Sequence, residues 1–276
     1  MQSLSTQKFH VVDGLISATF ADGPRRPVVF LHGNSSTKTV WAKQLHAVHR
    51  QGHAILAPDL PGHGASENSR FPEHTYSLPG YAAIIGALLD VFEWQSIDLI
   101  GWSLGGHIGL QLLAADPRIN SLLIVGAPPA PLSAESLRAA FYPSAVMDLA
   151  SSLELTRDDA LAYGRAMMGG DEHLTAELLS SISCTDGVAR AHFFASALRG
   201  EGVDQKKTVE TIEKSLCVVH GEQDPFVRLQ YLRSLRYRAL WRDEIFVIPD
   251  AGHAPHWQSP AAFNSILLDF LARSEI

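Results

Sequence analysis

Short runs, apolar apart from Asp98, alternate along the chain with longer stretches whose apolar residues recur every three or four positions. The runs are Val28-Val29-Phe30-Leu31, Ala54-Ile55-Leu56-Ala57, Ile97-Asp98-Leu99-Ile100, Leu122-Leu123-Ile124-Val125, Leu216-Cys217-Val218-Val219 and Ile245-Phe246-Val247-Ile248. Continuous runs, rather than alternating ones, predict strands covered on both faces. Trp41 to Arg50, Leu78 to Phe92 and Leu104 to Ala115 read as helices; Tyr81, Ile84, Ile85, Leu88, Leu89 and Phe92 carry the spacing of the second. A last helix starts near Pro260, a favoured first-turn residue, and runs to about Leu271. Strand, helix, strand implies parallel pairing, because parallel neighbours need a long crossover. Phe9 to Phe20, with a turn at Asp13-Gly14, reads instead as an antiparallel hairpin on the sheet edge. The expected class is α/β: a mostly parallel eight-stranded sheet flanked by helices.

The strand pattern stops between Pro128-Pro129-Ala130-Pro131 and about Lys207. Helical patterns fill the gap, for example Leu137 to Leu149, Asp158 to Met168 and Thr175 to Ile182. We read 129–206 as a helical cap, or lid, inserted into a core made of 1–128 and 207–276. Ala127 to Pro131 would be one hinge and Gly200-Glu201-Gly202 the other.

Composition narrows the function classes. The chain has 276 residues, 46% hydrophobic, enough for a large core and too apolar for disorder. Its net charge of −7 disfavours nucleic acid and anionic membranes as partners. Two cysteines, Cys184 and Cys217, fit a reducing compartment, and Met1 to Lys8 is polar without the apolar stretch of a signal peptide. The expected setting is cytoplasmic, as a monomer or homodimer.

The sharpest chemical signal is Gly101-Trp102-Ser103-Leu104-Gly105, placed where an apolar strand meets a helix. That is the context of a nucleophile elbow. Two glycines let a tight turn close and thrust the Ser103 hydroxyl outward. A hydroxyl attacks poorly until a base takes its proton. His253 follows the last apolar run, with Gly252 permitting an inward turn; His256 is the rival. The imidazole needs a carboxylate. Asp224, before Pro225, is favoured over Glu222. The serine, acid, histidine order is that of the α/β-hydrolases. An oxyanion hole needs two donors. The backbone N–H groups of Leu104 and Asn34 are the candidates, and the Asn34 side-chain amide is available to a substrate. His32 would brace its loop, and Asp59 to Ser66 reads as architecture.

His32-Gly33-Asn34, Asp59 to Ser66, Gly101 to Gly106, Asp224 and Gly252-His253 together resemble the α/β-hydrolase superfamily over nearly the whole chain. The stretch Gly101 to Gly109, Thr185 to Arg190 and Pro225-Phe226-Val227 are most similar to its metal-independent N-acyl-homoserine lactone hydrolases. Those enzymes open the lactone of bacterial quorum-sensing signals. In that group the acid can be Glu, where this chain has Asp224. The resemblance implies a serine hydrolase with no cofactor and no metal, and Tyr163 falls where the group has a substrate-facing lid tyrosine. The substrate would be a small ester or lactone with an apolar tail. Asn34, Trp102, Phe141, Met147, Tyr163, Met167 and Phe194 are the expected binding residues, with Tyr142, Met168 and Phe193 further candidates for an apolar channel.

Rivals remain within the same catalytic triad: a carboxylesterase, a hydrolase of carbon–carbon bonds in ring-cleavage products, or a ligand receptor on a hydrolase scaffold. Serine at the elbow argues against dehalogenases and epoxide hydrolases, which carry Asp there. The clustered His and Asp ligands of a zinc lactonase are missing from the sequence.

Overall fold

The computed structural model describes residues 3–273; Met1, Gln2 and 274–276 lie outside the described residues. Eight strands form one sheet: β1 (Ser5–Val11), β2 (Gly14–Ala21), β3 (Arg25–Leu31), β4 (His53–Pro58), β5 (Ile97–Trp102), β6 (Ile119–Val125), β7 (Ser215–Gly221) and β8 (Leu240–Ile248). Their spatial order is β1-β2-β4-β3-β5-β6-β7-β8. β2 runs antiparallel to both β1 and β4, and every other pairing is parallel. All six residues of β4 and all six of β5 are buried, as continuous apolar runs require.

Two helix pairs flank the sheet. Ala42–Arg50 packs on Pro260–Arg273, and Leu78–Val91 packs on Leu104–Ala115. Local chemistry sets their starts. The Ser77 hydroxyl accepts from the Gly80 N–H at 3.0 Å and so caps Leu78–Val91. Six more helices lie between β6 and β7: Ala134–Ala140, Ala145–Leu149, Arg157–Met168, Ala176–Cys184, Gly187–Leu198 and Gln205–Thr211. Arg157–Met168 is opened by a reciprocal capping box of Thr156 and Asp159 and closed by left-handed Gly169.

Two sequence expectations need correction. The hairpin turns at Val12-Asp13, not Asp13-Gly14, because Val11 already pairs with Gly14. The single helix expected over Leu137 to Leu149 is two helices. Pro143 interrupts the helical hydrogen bonds, and Phe141 is drawn into an antiparallel bridge with Val227. The Tyr142 N–H donates to the Phe226 carbonyl at 2.7 Å. The inserted helices are therefore stitched to the loop that follows β7. Among the described residues no helix is long and apolar enough to cross a membrane.

Candidate active site

β5, β7 and β8 all end at one edge of the sheet, because parallel strands share a direction. Ser103 follows β5 with φ +51° and ψ −118°, a conformation that L residues rarely hold. Its N–H is tied to the Val125 carbonyl at 2.9 Å, and its own carbonyl accepts from Gly106 and His107 at 2.9 and 3.1 Å. The turn closes only with glycine on either side. A Cβ on Gly101 would lie 2.4 Å from the Gly105 carbonyl oxygen, and one on Gly105 would lie 2.1 Å from the Leu31 oxygen. As the first residue of its helix, Leu104 has an N–H with no intrahelical acceptor.

β8 leads into the loop that carries His253. Its Nδ1 donates to Asp224 Oδ2 at 2.9 Å, with both side chains buried. The other Asp224 oxygen accepts from the Phe226 and Val227 N–H groups at 2.8 and 3.1 Å. Burial pushes the Asp224 carboxyl up, but His253 and these hydrogen bonds outweigh it, so the group sits below its ordinary value. An ionised carboxylate only accepts, so Nδ1 carries a proton and Nε2 is the nitrogen left for proton exchange. Backbone hydrogen bonds tie the loops after β7 and β8 together, from Glu222 N–H to the Ile248 carbonyl at 3.0 Å and from Gln223 N–H to the Ala251 carbonyl at 2.8 Å. Gln258 braces the histidine turn by accepting from the Gly252 N–H at 2.8 Å.

Ser103 and His253 border one cavity of about 600 Å³. Asn34, Phe141, Met147, Tyr163, Met167 and Phe194 line it too, and so do Leu104, Tyr142 and Phe193. The wall is mostly apolar. Asn34 is partly committed, its side-chain amide donating to the Ala150 carbonyl at 2.8 Å. Burial pushes the Tyr163 phenol up, so it stays protonated as a potential donor.

Trp102 does not line this cavity. It is fully buried, its ring packs against the Gly33 backbone, and its indole N–H is spent on the His253 carbonyl. The sequence places it among the substrate contacts, but a strand residue beside Ser103 points into the opposite layer. Met168 also faces away, into a small void beside Trp102. His256 packs between Trp41 and Trp102 at ring distances of 4.3 and 4.9 Å, with no hydrogen-bond partner on either nitrogen. It cannot reach the cavity. Exposed Glu222 only accepts from the Asp250 N–H at 3.3 Å. His32 does brace its loop, through the Gly33 carbonyl at 2.7 Å and the Leu60 N–H at 2.9 Å. The Asp59 carboxylate gathers Lys38 and the Ala65 N–H, which makes Asp59 to Ser66 scaffolding.

A cavity residue that sequence reasoning left unassigned is His107. Its position in the first turn of the helix that follows Ser103 is the signal that could have found it. Among the described residues no group of three or more His, Cys, Asp or Glu is arranged to hold a metal ion.

The profile of the Alpha/beta hydrolase family matches residues 28–266. The chain belongs to that family. Among solved structures, it is similar to the N-acyl homoserine lactonase AidH: 31% identity, TM-score 0.93 and 98% of both chains for a mutant complexed with N-hexanoyl homoserine lactone. The complex of that enzyme with N-butanoyl homoserine gives 32% identity and TM-score 0.93, over 98% of this chain and 97% of the other. Curated family members lie a little further off. A pimeloyl-[acyl-carrier protein] methyl ester esterase of Xanthomonas campestris pv. campestris is 29% identical over 83% of this chain and 88% of its own length. A 2-hydroxy-6-oxo-2,4-heptadienoate hydrolase of Pseudomonas putida is 27% identical over 96% of both.

Proposed function

We propose that this hydrolase-fold enzyme opens the lactone ring of N-acyl-homoserine lactones through Ser103, His253 and Asp224. The observation that carries the reading is the near full-length likeness to a lactonase with such a ligand. The mostly apolar cavity, which suits an acyl tail, agrees with it.

The Ser103 hydroxyl rotates towards His253 Nε2, gives up its proton and attacks the lactone carbonyl carbon. The N–H groups of Leu104 and Asn34 receive the oxyanion, and Asp224 stabilises the imidazolium. The ring C–O bond breaks, and His253 returns its proton to the departing oxygen. That oxygen stays tethered as an alcohol of the acyl-enzyme. A water deprotonated by His253 then attacks the ester and releases the ring-opened acid. Residues 129–206 act as the cap over this chemistry, with Phe141, Met147, Tyr163, Met167 and Phe194 around the substrate. In a cell such an enzyme would quench quorum signals, and the unpaired Cys184 and Cys217 agree with a cytoplasmic setting.

The curated relatives favour a second reading, a carboxylesterase or a hydrolase of carbon–carbon bonds in ring-cleavage products. The same triad serves both. A substrate panel decides: homoserine lactones of short and long acyl chain, nitrophenyl esters and a ring-cleavage dienoate, each read as kcat/KM. The expected preference is for lactones, with Ser103→Ala losing roughly four to six orders of magnitude in kcat. Ester cleavage without lactone opening would select the second reading. A burst of one equivalent followed by a stall would select a receptor.

A further inference from the structure

His107 sits one helical turn from the nucleophile, its N–H bonded to the Ser103 carbonyl at 3.1 Å, and its ring borders the cavity. Fully buried Gln205 holds the far side of that ring. His107 Nδ1 lies 2.8 Å from Gln205 Oε1, while the Gln205 amide nitrogen donates to the His107 carbonyl at 3.4 Å. The second bond fixes which end of the amide faces the ring. An amide oxygen only accepts, so Nδ1 carries the proton and Nε2 is left as a bare acceptor. Burial lowers the His107 basicity, the Gln205 hydrogen bond acts the other way and nearby His253 lowers it again, so the ring sits below the ordinary histidine value.

The cavity wall is mostly apolar, and the Phe141 ring stands 6.4 Å from that of His107. An occupant that displaces water from this acceptor must bring a donor of its own or leave it unpaired. An N-acyl-homoserine lactone with a plain alkanoyl tail, the substrate proposed above, carries one hydrogen-bond donor, the amide N–H on the α-carbon beside the lactone carbonyl. An α-acylamino ester carries the same donor; a simple alkyl ester has none.

We propose that His107 determines specificity by accepting a hydrogen bond, through Nε2, from an α-amide N–H of the substrate. The proposal rests on Ser103 as nucleophile and narrows the substrate class to α-acylamino esters and lactones. Four compounds test it: N-hexanoyl homoserine lactone, its analogue with methylene in place of N–H, and the matching pair of open-chain nitrophenyl esters.

In whichever series the wild type cleaves, the N–H compound should be favoured at least tenfold in kcat/KM. In His107→Leu that ratio should fall towards one, and in His107→Gln, which keeps an acceptor, part of it should return. A wild-type ratio near one overturns the proposal, and it needs no variant to fold. So does a ratio that survives in His107→Leu. If lactones resist while the esters show the ratio, the lactone reading fails and the role of His107 stands. If lactones open with a ratio of one, the reverse holds. No cleavage in either series overturns both.

Discussion

The indole N–H of Trp102 donates to the backbone carbonyl of His253 at 2.8 Å, so the residue preceding Ser103 holds the histidine loop in place. Both are buried, and the two rings stand 5.8 Å apart. The bond spans 151 positions of sequence and joins the ends of β5 and β8.

Trp102→Phe keeps an aromatic ring but removes the donor along with part of the indole bulk. The His253 carbonyl is then left buried without it, at a cost of roughly 1–3 kcal/mol in stability. Turnover should fall about tenfold with KM little changed, since His253 rather than the cavity wall is loosened. Urea unfolding and steady-state kinetics check the two effects. A rise in KM at constant kcat would put Trp102 back among the substrate contacts.

Asp224→Asn keeps the shape of the acid but no longer holds Nδ1 as the donor. We expect kcat to fall by about 10³–10⁴-fold with folding retained. Glu222→Gln, at an exposed turn, should shift stability by no more than about 0.5 kcal/mol and leave turnover in place. Circular dichroism with initial rates on both variants separates the two carboxylates. If Glu222→Gln is the inactive one, the acid is misassigned.

The parts of this site that could be read from the chain are those fixed by local order. Ser103, Asp224 and His253 each follow an apolar run, and parallel strands carry their ends to one edge. The cavity wall could be read because Phe141, Met147, Met167 and Phe194 are apolar residues in a segment without strands. The place of Trp102 is not legible in the chain, because its side chain turns to the opposite layer from Ser103, which spacing around the elbow does not show. The break at Phe141-Tyr142-Pro143 depends on pairing with Phe226 and Val227, more than 80 residues away. The Gln205 clamp that orients His107 likewise needs the tertiary structure.

Acid should destabilise the protein from just below pH 6.5. Burial holds His256 well below the ordinary histidine value and pushes His63 down to about 3. Between about 6.5 and those values the unfolded chain binds protons that the folded chain refuses, so unfolding gains as pH falls. Each such histidine contributes a slope of about 1.4 kcal/mol per pH unit. His256→Phe fits between Trp41 and Trp102 and has no nitrogen to leave unpaired. Its unfolding free energy should be less dependent on pH between 6.5 and 5 by about one histidine's slope, with turnover retained. Urea midpoints at four or five pH values check this. Loss of turnover in His256→Phe would revive it as the base.

The ion pair of Lys38 with Asp59 is a second buried charge pair, beside that of His253 with Asp224. Asp59 is 1% exposed in its side chain and Lys38 10%. The carboxylate also accepts from the backbone N–H groups of Lys38 and Ala65 at 2.8 and 2.9 Å. Asp59→Ala strands a buried ammonium and two N–H donors together, for a loss of roughly 3–5 kcal/mol. The loop it shapes also presents the Gly62 carbonyl to the N–H of Asp186, which caps the helix Gly187–Leu198. Asp59→Ala should therefore loosen both the loop and that helix start, visible as faster amide exchange at Asp186 and Val188. Adding Lys38→Met to Asp59→Ala removes the stranded charge and should recover part of the stability. If the double variant is no more stable than Asp59→Ala, the loss comes from the backbone hydrogen bonds and not from the unpaired lysine.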